Sequence, residues 1–167
     1  MSRRLPLHLT LAFLLAGCSA DSLTEPVQLS SGLLDAVGPV PFSVRCEMVI
    51  QPPTPVGPGL LHQIDTGTCH GTHIGRAQLT SDKIINVVNG TQTLETTFVA
   101  ANGDELRGTG TGTNTPVGPG LIAFTATLTF DGGTGRFADA SGQATITGQA
   151  DLGAGRSHMT AKGSIEF

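Results

Sequence analysis

The stretch IAFTATLTF, residues 122–130, decides the fold. Ile122, Phe124, Ala126, Leu128 and Phe130 alternate with Ala123, Thr125, Thr127 and Thr129. A period of two puts the large apolar side chains on one side of an extended chain and the threonines on the other, as in a strand with one buried face. A helix would scatter the same residues around its circumference. The period recurs elsewhere. Phe42, Val44, Cys46, Met48 and Ile50 alternate with Ser43, Arg45, Glu47 and Val49. Ala144, Ile146, Gly148 and Ala150 face away from Gln143, Thr145, Thr147 and Gln149, and Met159, Ala161, Gly163, Ile165 and Phe167 alternate with His158, Thr160, Lys162, Ser164 and Glu166. Less regular strands fit residues 60–68, 72–80, 83–88, 92–100 and 105–113. Asn89-Gly90 and Asn102-Gly103-Asp104 have hairpin-turn chemistry, because Asn, Asp and Gly tolerate positive φ. Eight or nine strands separated by Gly, Pro, Asn and Asp turns predict an all-β barrel or sandwich.

The heptapeptide TPVGPGL occurs twice, at residues 54–60 and 115–121. Each copy leads into a strand that starts at its leucine. Pro55 and Pro116 fix φ, while Gly57, Gly59, Gly118 and Gly120 permit tight turning. After each copy come a strand and a turn with a Gly-Arg pair, Gly75-Arg76 and Gly135-Arg136. Two related halves of one barrel, convergence on a convenient turn, and a loop used for function all account for the repeat. Turn chemistry favours the first two over the third.

Ahead of the strands, Arg3 and Arg4 precede a mostly apolar run over residues 5–16, too short to remain as a membrane-spanning helix. It ends in Leu15-Ala16-Gly17-Cys18, which resembles the bacterial lipobox. The resemblance implies a lipoprotein signal peptide over 1–17, cleavage before Cys18, and lipidation of that cysteine. Ser19, in place of the aspartate of an inner-membrane retention signal, points to the outer membrane if the envelope is Gram-negative. Residues 18–40 are rich in Ser, Pro, Gly and acidic residues and read as a flexible tether, with a weak helical turn near 29–37. The barrel domain is expected over 41–167. Loss of Arg3 and Arg4 leaves a chain more acidic than the −4 of the whole, a poor candidate for nucleic-acid binding.

In an oxidising compartment Cys46 and Cys69 are most simply accounted for as a disulfide, with two free buried thiols as the alternative.

Three stretches carry a resemblance when taken together: residues 71–76 (GTHIGR), 101–106 (ANGDEL) and 132–142 (GGTGRFADASG). The last resembles the Gly-Gly-Thr-Gly-basic-Phe segment of dirigent proteins and the related allene oxide cyclase-like barrels, and the three in this order resemble secreted bacterial proteins of that type. The resemblance covers roughly residues 42–167. It implies an eight-stranded, mostly antiparallel barrel with an interior cavity, and it carries no activity to particular residues of this chain. Read physically, Gly132, Gly133 and Gly135 allow a sharp turn after the strand that ends at Phe130. Phe137 and Ala140 are placed to cover a barrel end on one short helical turn, and Arg136 to bond carbonyls there.

Two polar clusters are candidates for chemistry. His62, Asp65, Cys69, His70 and His73 have zinc-ligand chemistry. Their spacing fits no common zinc motif, and an oxidised Cys69 is no ligand, so no metal is expected. His73, Arg76, Asp104, Glu105 and Arg107 combine a histidine with an Arg–carboxylate pair, suited to proton transfer or carbonyl polarisation inside a barrel, or to a salt-bridge network at one barrel mouth. Glu95, opposite in face to Leu94, is expected to meet solvent. No nucleophile elbow, P-loop, dinucleotide fingerprint or HExxH motif occurs, and no cofactor is expected. The expected function is a membrane-anchored lipoprotein that binds a small apolar ligand or an envelope component without catalysis. A cyclase- or isomerase-like enzyme acting inside the barrel and a purely structural envelope module are the alternatives.

Overall fold

A computed structural model describes residues 38–167. The leader, Cys18 and nearly all of the expected tether lie outside the described residues. Nine strands follow in order: β1 (Val40–Ile50), β2 (Thr54–Gly57), β3 (Leu60–Gly71), β4 (Gly75–Asn86), β5 (Thr91–Ala100), β6 (Glu105–Gly118), β7 (Leu121–Gly133), β8 (Ser141–Asp151) and β9 (Arg156–Glu166). A single 3₁₀ turn, Gly135–Phe137, sits between β7 and β8. From β3 to β9 each strand pairs antiparallel with the next, and β1 pairs with both β9 and β3. The result is a closed eight-stranded up-and-down barrel, with β2 extending the β3 edge beyond the end of β1. An even number of strands lets a meander close without a parallel pair, and closure leaves no edge along the wall.

The alternation in the sequence sets the two faces. Val44, Leu79, Leu94, Leu128, Ile146 and Ala161 point inward and are buried. The outside carries threonine: Thr109, Thr111 and Thr113 of β6 lie beside Thr129, Thr127 and Thr125 of β7. An apolar interior and a polar exterior are the reverse of a barrel that faces lipid along its wall. Three inward glycines of β6, Gly108, Gly110 and Gly112, bring it tight against β7. A Cβ on Gly112 would lie 2.6 Å from that of Ala126.

One sequence expectation needs correction. Residues 72–80 and 83–88 are not two strands but parts of β4, which runs unbroken through Ser81 and Asp82. Two adjacent polar residues look like a turn, yet Ser81 faces inward, 3.5 Å from the Thr96 hydroxyl, while Asp82 faces out beside His62. The turn lies earlier, at Thr72-His73-Ile74, where His73 has φ 63°.

Cys46 and Cys69 form a disulfide between directly paired residues of β1 and β3. Ladder bonds from Thr72 N to Ser43 O and from Gln51 N to Ile64 O put the odd-numbered β1 residues at hydrogen-bonded positions. Cys46 therefore falls at the alternate, closer type of pair, and the Cα atoms are 4.1 Å apart. Both sulfurs lie in the core. Replacing both cysteines with alanine is expected to lower stability by about 3 kcal/mol in the chain-entropy account. Urea midpoints of the oxidised protein and the variant check this; equal midpoints would refute it.

Both TPVGPGL copies form the same hairpin. Gly57 pairs with Leu60 and Pro55 with Leu61 across a one-residue register shift; Gly118 pairs with Leu121 and Pro116 with Ile122 across the same shift. Gly59 and Gly120 have φ of 68° and 70°, the conformation that Pro-Gly at the centre of a tight turn requires. The hairpins join β2 to β3 and β6 to β7, and β3 and β7 stand opposite each other, four places apart in the ring of eight. Gly75 and Gly135, at the next turn of each half, have φ of 61° and 56°. Position, register and backbone are thus equivalent in the two copies, as either related halves or convergence on one turn sequence would make them.

Candidate functional site

The two ends of the barrel differ. At one end Phe42 packs edge-on against Phe98 and Phe130, with ring centroids 6.5 and 4.8 Å away. The segment between β7 and β8 folds over this end: Gly132 and Gly135 take positive φ, Gly133 sits in close contact with Glu105 of β6, and Phe137 is fully buried with Ala140 beside it. This end is closed.

The other end is open to a cavity of about 590 Å³. Its walls are largely apolar: Ile50, Leu61, Ile85, Ile122, Phe124 and Ala150 all contribute. Polar groups enter from two adjacent strands. Gln63 and Asp65 point inward from β3, and Lys83 points inward from β4, where it is registered opposite Gln63. Asp65 is 2% exposed. Its Oδ1 accepts a hydrogen bond from Gln63 Nε2 at 2.9 Å and its Oδ2 accepts one from Lys83 Nζ at 2.5 Å. A charge this deep is tolerated because it is paired and both carboxylate oxygens are bonded. A smaller space of about 30 Å³ shares Asp65, Lys83 and Phe124 with the cavity and adds Ser81, Gln92 and Thr96. On β6, two strands on from β4, Asn114 Nδ2 is buried without a hydrogen-bond partner among the described residues.

This arrangement can hold an apolar molecule with one or two polar groups. The Lys83 and Asp65 charges cancel, so the cavity offers no net charge to an ionised ligand. Asn114 supplies an unused donor, a group that native structures normally satisfy.

Apart from Asp65, the residues singled out from sequence lie elsewhere. His73 sits on the β3–β4 turn at the closed end, 3.1 Å from Pro41 O and stacked edge-on with Phe167. Arg76 is exposed at the start of β4. Asp104 accepts from Asn102 Nδ2 at 2.7 Å and lies 3.9 Å from Arg136 Nε. Arg107 pairs with Glu105 on the outer surface. None of them lines the cavity. Arg136, expected near carbonyls, has its guanidinium 4.7 Å from the centroid of the Phe137 ring. The His/Cys cluster is dispersed: His62 pairs with Asp82 outside, Asp65 is in the cavity, Cys69 is in the disulfide, and His70 is exposed. Glu95 is exposed and Leu94 buried, as the alternation requires.

Period two carried the missing signal. Counting back by twos from the inward Cys69 reaches Asp65 and Gln63, and counting forward from Leu79 reaches Ser81 and Lys83. The second count needs β4 read as one strand. Comparison with protein-family models, curated proteins and solved structures finds no match to this chain.

Proposed function

We propose that this chain is a membrane-anchored envelope lipoprotein whose barrel binds a small, uncharged, apolar ligand through its open end. The cavity carries the reading: its volume of about 590 Å³ lies within the range of small-molecule sites, and a few convergent polar groups in an apolar wall are how such sites fix orientation. The lipobox-like Leu15-Ala16-Gly17-Cys18 and the resemblance of residues 132–142 to dirigent and allene oxide cyclase-like barrels support the setting.

N-phenyl-1-naphthylamine, an uncharged fluorophore that brightens in apolar surroundings, tests the binding. Saturable enhancement is expected. Ala150→Phe, which fills the cavity from β8, is expected to weaken it at least about tenfold, or about 1.4 kcal/mol. No saturable signal, or equal affinity in the variant with its β-type circular dichroism intact, would overturn the reading.

A cyclase- or isomerase-like activity is the second reading, and the Asp65–Lys83 pair favours it, since an acid and a base meet there against an apolar wall. Incubating the protein with the ligand recovered from it and separating isomers by chromatography distinguishes the two: a ligand that stays unchanged indicates binding alone, and one converted to an isomer over time indicates catalysis.

A further inference from the structure

We infer that the open end of the barrel is a docking surface for an uncharged lipid bilayer. The inference rests on the loops around the mouth and not on what fills the cavity.

Five segments form this end: residues 51–53, 58–59, 87–90, 119–120 and 152–155. None contains a charged residue or a histidine. The turns at the closed end carry His73, Asp104, Arg136 and Asp139. Large apolar side chains show the opposite asymmetry. Of the eight exposed ones among the described residues, Val56, Val87, Val88, Val117 and Leu152 belong to hairpins at the open end, Val49 and Ile84 lie on the strands β1 and β4, and Phe167 alone lies at the closed end. Val88 is 81% exposed; Val56 and Val117, equivalent residues of the two TPVGPGL hairpins, are 53% and 52% exposed on opposite sides of the mouth. Pro52, Pro53, Pro116, Val87 and Leu152 belong both to the rim and to the cavity lining. The exposed apolar surface and the cavity are therefore one continuous surface.

A ring of apolar tips of this kind is unfavourable in water and marks a binding surface. Its shape and chemistry fit a bilayer. The tips stand around an opening rather than on a flat face, so each enters the headgroup region separately while the threonine-covered wall stays in water. The segments themselves carry no charge, the flanking Asp151 and Arg156 are of opposite sign and paired across β8 and β9, and the whole chain is net −4, so apolar insertion rather than attraction to anionic lipid is the expected attachment. The chain outside the structure permits this orientation. It joins β1 at the closed end, and from Cys18 to Val40 it can reach up to roughly 70 Å, against a strand length near 36 Å for the residues of β1. A lipid on Cys18 therefore allows the far, open end to meet the same membrane.

The test uses the mature chain from Ser19 onward, exported behind a leader that is removed without lipidation, so that neither an acyl chain nor the apolar residues 5–16 contribute. Sedimentation with phosphatidylcholine vesicles is expected. Binding should be insensitive to added salt, because screening acts only on charge, and should not increase when anionic lipid is added. Val56→Asp, Val88→Asp and Val117→Asp together are expected to reduce vesicle partitioning by a factor of about a hundred on the scale of several buried side chains, with fluorophore binding and circular dichroism unchanged. Failure to sediment, salt-sensitive binding, or equal partitioning of the triple variant would each overturn the inference. So would concentration-dependent dimerisation through the same valines without vesicle binding, which would make the rim a self-association surface. Fluorophore binding without vesicle binding leaves the ligand reading standing and removes this one; vesicle binding alone does the reverse.

Discussion

Lys83→Met will destabilise the barrel by about 3–5 kcal/mol. Methionine nearly keeps the length and volume of lysine, so the cavity wall stays filled and only the charge is lost. Asp65 is then a carboxylate with 3% of its side chain exposed and Gln63 Nε2 as its remaining partner. The reverse change, Asp65→Asn, is expected to cost less. Lys83 is the more exposed partner, at 14%, and its long stem can carry the ammonium toward the cavity opening. The double variant Lys83→Met with Asp65→Leu removes both charges and is expected to recover most of the loss, since a well-packed apolar pair is often as stable as the ion pair it replaces. Urea unfolding of the wild-type protein and the three variants measures these differences. Equal losses for the two single variants, or no recovery in the double, would show that burial of Asp65 is not the governing factor.

Phe137→Ala will cost about 3–5 kcal/mol as well, for a different reason. Its ring is fully buried as the closing piece of one barrel end, next to Phe167 at 5.8 Å, with the Arg136 guanidinium over it. Truncation opens a void in a region that is otherwise packed by Phe42, Phe98 and Phe130. The 3₁₀ turn that carries it has too few backbone bonds of its own to close over the gap. The cavity lies at the other end, so fluorophore affinity is expected to change by less than about twofold, well under 1 kcal/mol. A large fall in affinity with unchanged stability would show that the closed end belongs to the binding site.

How far these features were legible in the sequence depends on how local they are. β1, β7, β8 and β9 were readable because their inward residues are uniformly apolar or small. The turn glycines were readable because positive φ is a property of one residue. The disulfide follows from cysteine number together with the expectation of export that the leader-like residues 1–17 raise. The cavity trio was not recognised, because its signal is relational. Asp65 attracted attention as a neighbour of histidines and cysteine in sequence, whereas its structural partner is Lys83, across the β3–β4 ladder. Polar residues on an inward face also break the alternation that identifies a strand. The inward polar Ser81 and Lys83 thus obscure β4, and Ser81 next to the outward Asp82 resembles a turn in sequence.

The ring of strands also fixes where the chain-closure cost falls. Every pairing from β3 to β9 is between consecutive strands, and β1 meets β3 after one short excursion through β2. Only the β1–β9 ladder, with Val40 opposite Ile165, brings together the two ends of the described chain. Loop-closure entropy grows only with the logarithm of the intervening length, but it is charged before distant contacts repay it. That cost is concentrated at a single seam. The Cys46–Cys69 bond holds the other edge of the same strand, so β1 has one neighbour secured covalently before its distant neighbour arrives. In kinetic terms, the bond turns the last strand to be enclosed from a free end into a prepared docking edge.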